Sequence, residues 1–295
     1  MKILITGGSG LLGQFLNLRL SEKNNLLTTY HNNPGNCRYF NSVRLDLGNT
    51  EEIKKIFLDF MPEVVIHTAA LSRPEICSTL PPEEVYRINV NSAEELSRLC
   101  EKNKSLLIFT STDLVYDGYK GSMLKEDAGL NPVSLYAESK LEAEKAIRNI
   151  FDNYIILRTS LLYGIGQVDS VNNFHKMYNN FKLGKPMRLF YDQFRTPLSL
   201  MDASIMIEQI LNLNIRGEII NFGGKQRVSR VELGEILCDI AGFDKSLIER
   251  ISMDDVPGLQ KVPDVSLNTD KLKSYGIEQK SIEESIYEIL RSANG

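Results

Sequence analysis

Residues 3–13 read ILITGGSGLLG, and this stretch decides the fold. Residues 3–6 are apolar or β-branched, which is typical of a short buried strand. Glycines follow at 7, 8, 10 and 13, and an amphipathic helical stretch begins at 11 and extends to 23. A strand that runs through a glycine-rich turn into a helix is the first unit of a dinucleotide-binding α/β fold.

The same alternation of strand and helix continues along the chain. Further strands are predicted at 26–30, 43–45, 63–67, 106–110, 154–158 and 219–222, and helices at 50–61, 82–103, 134–151, 230–241 and 282–291. Apolar strands separated by helices favour parallel pairing with both sheet faces buried. The sequence therefore predicts an α/β fold, a doubly wound parallel sheet (Rossmann) with a smaller C-terminal substrate-binding lobe.

The domain division follows the loss of this alternation. We predict a dinucleotide-binding domain over 1–160, to which a later segment, about 196–222, returns. Residues 161–195 and 223–295 are predicted to form the smaller lobe. The stretch 164–197 is rich in Asn, Gly and aromatic residues without a clean period, as expected of a segment that lines a ligand cleft.

Composition excludes several classes of partner. The 295-residue chain has a formal net charge of −4, which predicts neither nucleic-acid binding nor attraction to an anionic membrane. No apolar run approaches the length of a membrane helix. The four cysteines and three histidines lack metal-ligand spacing, so we expect free thiols, no metal site and a cytoplasmic location.

The glycine-rich turn is predicted to hold a pyrophosphate. Glycine permits close approach of the backbone, and the following helix offers free N–H donors and a partial positive charge. The residues of this loop predicted to bind the cofactor are Gly7, Ser9, Gly10, Leu11, Leu12 and Gly13. A glycine-rich turn that binds nothing is the alternative, but the position at the first strand–helix junction favours cofactor binding.

The end of the second strand bears on the choice of cofactor. It ends at Tyr30 and His31 without a carboxylate for the adenosine ribose, and Arg38 follows nearby. This pattern favours NADPH, with NADH as the other possibility. Asp46, followed by Leu47, is predicted to bond the adenine, although an acidic residue after a strand is equally typical of a plain turn.

A second motif, Tyr136-x-x-x-Lys140, lies at the start of a predicted helix. The spacing of four places both side chains on one helix face. Tyr136 can protonate a carbonyl oxygen, and the nearby Lys140 cation is expected to lower the tyrosine pKa towards working pH. Such spacing also arises by chance in amphipathic helices. Thr112, directly after the predicted fifth strand, supports the catalytic interpretation because ligands bind at the carboxyl ends of parallel strands.

These motifs together resemble the extended short-chain dehydrogenase/reductases, and within them the dTDP-4-dehydrorhamnose reductase branch of sugar-nucleotide enzymes. The matching segments are TGGSGLLG (6–13), TAA (68–70), YRINV (86–90), STDLVYDG (111–118), LYAESK (135–140), RTSLLYG (158–164), DQFRTP (192–197) and NFGG (221–224). The segments at 111–118 and 192–197 are typical of this branch, and the others occur across the superfamily.

The resemblance implies a catalytic triad of Thr112, Tyr136 and Lys140, with Tyr136 as the acid and Lys140 also on the nicotinamide ribose. It adds Thr68, Ala69, Ala70 and Asn89 to the cofactor site. It implies a substrate site that contains Thr112, Asp113, Leu114, Asp192 and Arg195, with Gln193 in the same loop. A surface salt bridge is the plainer interpretation of Arg195.

The function that the resemblance implies is NADPH-dependent reduction of a nucleotide-activated 4-keto-6-deoxysugar, by an enzyme that is a possible homodimer. Two residues differ from those usual in the resembling enzymes, and both bear on the choice of substrate. Leu114 stands where 4,6-dehydratases have an acid and the reductases usually have an aromatic residue, and Leu161 stands where the reductases typically have Trp. Alternatives are a cofactor-binding regulatory subunit, similar to the beta subunit of methionine adenosyltransferase, or a nucleotide-sugar epimerase.

Overall fold

The computed structural model describes residues 1–293. Its strands are β1 (Lys2–Thr6), β2 (Asn25–Tyr30), β3 (Ser42–Arg44), β4 (Val64–His67), β5 (Leu106–Thr112), β6 (Tyr154–Thr159), β7 (Leu162–Tyr163), β8 (Met187–Phe190), β9 (Phe194–Arg195), β10 (Leu198–Ser199), β11 (Glu218–Phe222), β12 (Val228–Ser229) and β13 (Ile248–Ile251). Its α-helices are α1 (Leu11–Leu20), α2 (Thr50–Phe60), α3 (Pro74–Cys77), α4 (Pro82–Tyr86), α5 (Ser92–Asn103), α6 (Leu135–Ile150), α7 (Asn173–Lys182), α8 (Leu200–Leu211), α9 (Arg230–Ala241), α10 (Asp270–Ser274) and α11 (Ile282–Ala293).

Seven strands form one parallel sheet in the order β11-β6-β5-β4-β1-β2-β3. The order reverses between β1 and β4, because the chain first builds outward through β2 and β3 and then returns to the other side of β1. The carboxyl ends of β1 and β4 therefore flank a crevice, which is where open α/β sheets bind ligands. The predicted doubly wound sheet is confirmed.

Alternate residues of the strands supply the two faces of the sheet. Ile3 and Ile5 pack with α1 and α8 on one face, whereas Leu4 packs with α2, α5 and α6 on the other. Because both faces are covered, the strands are apolar throughout rather than alternating with polar residues. This burial fixes the position of the strand ends that form the site.

The structure alters the predicted boundaries at two functional positions. Strand β5 continues to Thr112, so Ser111 and Thr112 are the last residues of the strand rather than the loop after it. The predicted helix 82–103 contains a π-helical turn at Arg87–Asn91, between α4 and α5. The extra residue in this turn has no signature in the hydrophobic pattern, and such turns often mark functional sites.

A separate apolar cluster lies in the C-terminal part of the chain. Its members include Phe174, Leu237 and Ile286, from α7, α9 and α11. In contrast, Leu272 and Ile277 pack into the core of the large sheet. We therefore propose a smaller lobe built around α7, α9 and α11, within which 270–277 returns to the larger lobe.

Other sequence expectations concern cysteines, metals and membranes. Each of the four cysteines is a free, buried thiol, as predicted. In the part of the chain that the structure describes, no group of three or more His, Cys, Asp or Glu side chains could hold a metal ion. None of the helices within residues 1–293 is long and apolar enough to cross a membrane.

Candidate active site

Helix α6 carries the Tyr-x-x-x-Lys motif towards the end of β5. The Ser134 side chain caps the helix by accepting a hydrogen bond from the Ala137 N–H at 3.2 Å. Tyr136 and Lys140 then lie one turn apart. The Lys140 side chain is buried, and its Nζ lies 4.0 Å from the centre of the Phe109 ring of β5. This cation–π contact holds the ammonium group against the strand.

The last residue of β5 completes the predicted triad. Thr112 lies close enough to Tyr136 for its hydroxyl to lower the pKa of the tyrosine. The same hydroxyl accepts a hydrogen bond from the Leu114 N–H at 3.2 Å, in a short turn that follows the strand. The structure thus brings Thr112, Tyr136 and Lys140 to one place, as the sequence predicts.

The protonation of Tyr136 differs from the sequence expectation. Burial raises the pKa of Tyr136 well above its usual value, the nearby Thr112 hydroxyl lowers it, and the negative charge of Asp113 raises it further. Lys140 is not a cause of this shift, so the expected lowering by Lys140 is wrong for the structure described here. The phenol is therefore protonated at neutral pH, which is the form that a proton donor requires.

Beneath Lys140, a buried ion pair fixes the next turn of α6. Glu144 pairs with Arg158 of β6 at 2.9 Å and accepts a hydrogen bond from the Ser111 hydroxyl at 2.5 Å. Burial lowers the pKa of Lys140 to about 7, and the charge of Glu144 opposes that shift. Lys140 therefore carries its full charge only below neutral pH.

The glycine-rich turn adopts the shape that the motif predicts. Gly7 has a φ of +75°, and a Cβ there would lie 2.7 Å from the Ala69 nitrogen. A Cβ on Gly13 would lie 2.1 Å from the Gly7 carbonyl oxygen. In contrast, a Cβ on Gly10, the first residue before α1, would contact only that oxygen, at 3.1 Å. The space beside Gly10 is the cradle that a pyrophosphate would fill.

The remaining residues of this loop have different environments. Ser9 and Leu11 are half-buried, and Leu12 is buried in the core beneath α1. The main chain of Ser9 and Leu11 can therefore face a ligand, whereas the Leu12 side chain serves packing.

The segment after β4 lies directly against the phosphate loop. The Thr68 hydroxyl donates to the Thr6 carbonyl at 2.8 Å, and Ala69 abuts Gly7, with half-buried Ala70 next in the chain. Asn89, in the π-helical turn, holds the same segment from the other side. Its amide accepts from the Leu71 N–H at 2.8 Å and donates to the Ser139 hydroxyl at 2.9 Å.

At the end of β2, Tyr30 is half-buried and His31 is exposed. Arg38 lies nearby, donates to the Gly35 carbonyl at 2.7 Å and pairs with Asp169 at 3.3 Å. Arg38, the cation that favours NADPH in the sequence, is thus present at the end of β2. Its guanidinium is already paired with the Asp169 carboxylate.

Asp46 has a structural contact of its own. Its carboxylate accepts from the Gly48 N–H at 2.8 Å and so closes a turn, with half-buried Leu47 between them. The sequence motifs do not identify Arg87 as a site residue, yet its guanidinium packs against Gly48. Only the π-helical turn that carries Arg87 could have signalled it, and the sequence pattern does not show that turn.

The residues expected on the substrate side fall into two groups. Asp113 and Arg195 are both buried beside the triad, with Nε and Oδ2 3.7 Å apart, so the surface salt bridge considered for Arg195 is wrong. Asp113 also accepts from the Ser160 hydroxyl at 3.1 Å, and burial raises the pKa of its carboxyl group. Ser160 is a further residue that the motifs did not single out.

The other two expected substrate residues make packing or capping contacts. The Leu114 side chain packs against an apolar cluster that includes Val115 and Leu267. The Asp192 carboxylate accepts from the Ser252 hydroxyl at 2.6 Å and the Met253 N–H at 3.1 Å. It therefore caps a short helical turn in this structure.

The model of the RmlD substrate binding domain matches residues 1–294. The chain belongs to the RmlD substrate binding domain family. The family lies within the extended short-chain dehydrogenase/reductases, a superfamily of NAD(P)-dependent oxidoreductases.

Three similar proteins span nearly the whole chain. The dTDP-4-dehydrorhamnose reductase of Aggregatibacter actinomycetemcomitans is 29% identical over 294 residues, which cover 94% of each protein. The methionine adenosyltransferase 2 subunit beta of Bos taurus is 25% identical over 304 residues, 98% of this chain and 88% of that one. A crystal structure of dTDP-4-dehydrorhamnose reductase from Bacillus anthracis in complex with NADP has a TM-score of 0.82 at 22% identity and covers 99% of both chains. The last likeness shows the fold alone.

Proposed function

We propose that this RmlD-family protein is an NADPH-dependent reductase of a nucleotide-linked 4-keto-6-deoxysugar. The observation that carries the proposal is the meeting of Thr112, protonated Tyr136 and buried Lys140 at the end of β5, beside the phosphate loop. Strand β5 lies next to β4, one strand away from the point between β1 and β4 where the strand order reverses. These groups therefore lie close to the crevice in which a nicotinamide and a carbonyl substrate can meet.

The residues present fit a dinucleotide. The open space beside Gly10 and the N-terminus of α1 would hold the pyrophosphate, and Lys140 would bind the nicotinamide ribose. Arg38 would bind a 2′-phosphate in place of Asp169, which supports NADPH over NADH.

NADPH, when bound, supplies a hydride to the substrate carbonyl carbon and becomes NADP⁺. Tyr136 donates its phenolic proton to the carbonyl oxygen, so that the ketone becomes an alcohol. Thr112 hydrogen-bonds the same oxygen and aligns it with Tyr136. The charge of Lys140 stabilises the phenolate that remains, until solvent returns the proton.

The direct test is NADPH consumption by the purified protein with a panel of nucleotide-linked 4-keto-6-deoxysugars. Tyr136→Phe keeps the ring but removes the proton donor, so turnover should fall by about 10²–10⁴-fold. Its affinity for NADPH should stay within about twofold of wild type, since the change leaves the phosphate loop intact. Tyr287→Phe, at an exposed position of α11, is the matched control and should keep full activity. Turnover of a substrate by Tyr136→Phe at the wild-type rate would contradict the mechanism.

A regulatory subunit is the second candidate. It is favoured by the 25% identity to the methionine adenosyltransferase 2 subunit beta over 98% of this chain. The lack of an aromatic residue at Leu114, whose side chain is committed to packing, is compatible with it. Tight NADPH binding without consumption of any ketosugar, together with co-purification of a partner enzyme, would favour this candidate over the reductase.

A further inference from the structure

A short antiparallel ladder brings a second arginine, Arg230, near the buried pair of Asp113 and Arg195. Val228 of β12 pairs with Arg195 of β9, and Ser229 pairs with Phe194. The next residue on each side continues this register, and there the Nε of Arg230 donates to the Oε1 of Gln193 at 2.9 Å. Arg230 is the first residue of α9 and is half-buried.

The charges around this ladder do not balance. Arg195 faces the Asp113 carboxylate at 3.7 Å, and Arg227 pairs with Asp264 at 2.8 Å. Within residues 1–293, no carboxylate lies within salt-bridge distance of Arg230, whose recorded side-chain contact is the neutral amide of Gln193. Three guanidinium groups therefore share two carboxylates, and one positive charge is left without a counter-charge.

Such a charge is costly to keep partly out of water. Burial and the charge of Arg195 lower the pKa of Arg230 to about 9, and the charge of Asp113 opposes that shift. Arg230 is still protonated at neutral pH. A cation in this state gains more from an anionic ligand than a solvated surface arginine does, because the ligand restores the missing counter-charge.

The surplus charge lies next to the reaction centre. Asp113, whose charge acts on both Arg195 and Arg230, directly follows Thr112, and its charge also acts on Tyr136. Arg195 is not free for a ligand, since its Nη atoms donate to the carbonyl oxygens of Phe194 and Val262 at 2.6 to 3.2 Å.

We propose that Arg230, oriented by Gln193, binds an oxyanion of the substrate through its Nη groups. The planar guanidinium suits two oxygens of a diphosphate or of a sugar carboxylate, and both groups supply the missing negative charge. The proposal rests on the proposed function, because it assumes that the cleft beside Tyr136 receives a sugar nucleotide. It assigns the anion contact to a residue outside every motif, and not to Arg195, which the family resemblance places in the substrate site.

The test is isothermal titration calorimetry on the protein saturated with NADP⁺, or with NAD⁺ if the chain prefers it, so that the phosphate loop is occupied. The probes are inorganic pyrophosphate, thymidine diphosphate, and galacturonate. We expect wild type to bind at least one probe and Arg230→Gln to bind it about tenfold or more weakly. Arg230→Lys should lie between them. Arg227→Gln, which removes a neighbouring arginine that already has its carboxylate, should bind within about twofold of wild type.

The pattern of binding identifies the oxyanion. Arg230-dependent binding of pyrophosphate and thymidine diphosphate assigns the site to a diphosphate, and binding of galacturonate alone assigns it to a carboxylate. Unchanged affinities in Arg230→Gln, or no binding of any probe by wild type, would overturn the proposal. Retained affinity of Arg230→Gln for NADP⁺ establishes that this variant is folded. Failure of the reductase proposal is separate, since it shows as absent Tyr136-dependent turnover whatever the probes do.

Discussion

Burial rather than a neighbouring cation sets the state of the central tyrosine. Tyr136 keeps its proton because its surroundings disfavour a phenolate, and the adjacent Asp113 charge adds to that effect. A strong base is not needed for reduction of a ketone, in which the tyrosine gives its proton away. In the proposed reaction the charge of Lys140 acts after the proton transfer, when it stabilises the phenolate of Tyr136.

The ion pair between Arg38 and Asp169 allows a prediction of which cofactor the chain prefers. Arg38→Gln should weaken NADPH binding about tenfold and leave NADH unchanged, because only NADPH has a 2′-phosphate for the guanidinium. Asp169→Asn should strengthen NADPH binding about two- to fivefold, since it removes an exposed carboxylate that competes for Arg38. Fluorescence titration with both cofactors measures these changes. If Arg38→Gln weakened the binding of NADPH and NADH equally, Arg38 would not bind the 2′-phosphate.

At the scale of elements, the first strand, turn and helix were predictable because their signals are local. The apolar run 3–6 and the glycines after it specify both the strand and the turn geometry within a dozen residues. The π-helical turn at Arg87–Asn91 was not predictable, since it leaves the apolar spacing of its helix almost unchanged. Nor were contacts between distant segments, such as Arg195 with Asp113, which depend on how the lobes meet.

The glycines of the phosphate loop give a prediction that separates folding from binding. Gly13→Ala should lower the free energy of unfolding by about 1–3 kcal/mol, because its Cβ would meet backbone atoms at 2.1 and 2.7 Å. The Cβ of Gly10→Ala would make one close contact, 3.1 Å from the Gly7 carbonyl oxygen, which a shift of a few tenths of an ångström relieves. Its free energy of unfolding should therefore fall by less than about 1 kcal/mol. Gly10→Ala should nevertheless weaken NADPH binding about tenfold or more, since the methyl group enters the cradle. Urea denaturation and cofactor titration of both variants measure the two effects. Normal NADPH binding by Gly10→Ala would place the pyrophosphate elsewhere.

At the scale of the whole molecule, the large sheet carries a buried histidine at the strand end beside the site. His67 of β4 is fully buried, and its Nδ1 lies 2.5 Å from the Thr6 hydroxyl of β1. Burial, together with the charge of Lys140, lowers the pKa of His67 from 6.5 to about 3. The folded chain therefore keeps His67 neutral over a pH range in which the unfolded chain protonates it.

This difference predicts how stability depends on pH. Between pH 6.5 and 3 the unfolded state binds more protons at His67, so the free energy of unfolding falls as the pH falls. The contribution of this residue approaches about 1.4 kcal/mol per pH unit and is absent above its unfolded pKa. Urea denaturation between pH 7 and about pH 5, before most carboxylates titrate, should show this slope in wild type but not in His67→Gln. His31→Gln, at an exposed position, is the control and should keep it. If the free energy of unfolding of His67→Gln fell with pH as steeply as that of wild type, His67 would not be the source of the pH dependence.

The activity proposed for this chain is hydride transfer to a sugar ketone, with Tyr136 as the proton donor. The most direct measurement uses NADPH with deuterium at both positions of nicotinamide C4 and a nucleotide-linked 4-keto-6-deoxysugar, with mass spectrometry of the sugar product. We predict one deuterium at sugar C4 in the product from wild type and no labelled product from Tyr136→Phe over the same time. Reduced product without deuterium would contradict hydride transfer from NADPH. Equal labelling of the product by Tyr136→Phe would contradict the role of Tyr136 as the proton donor.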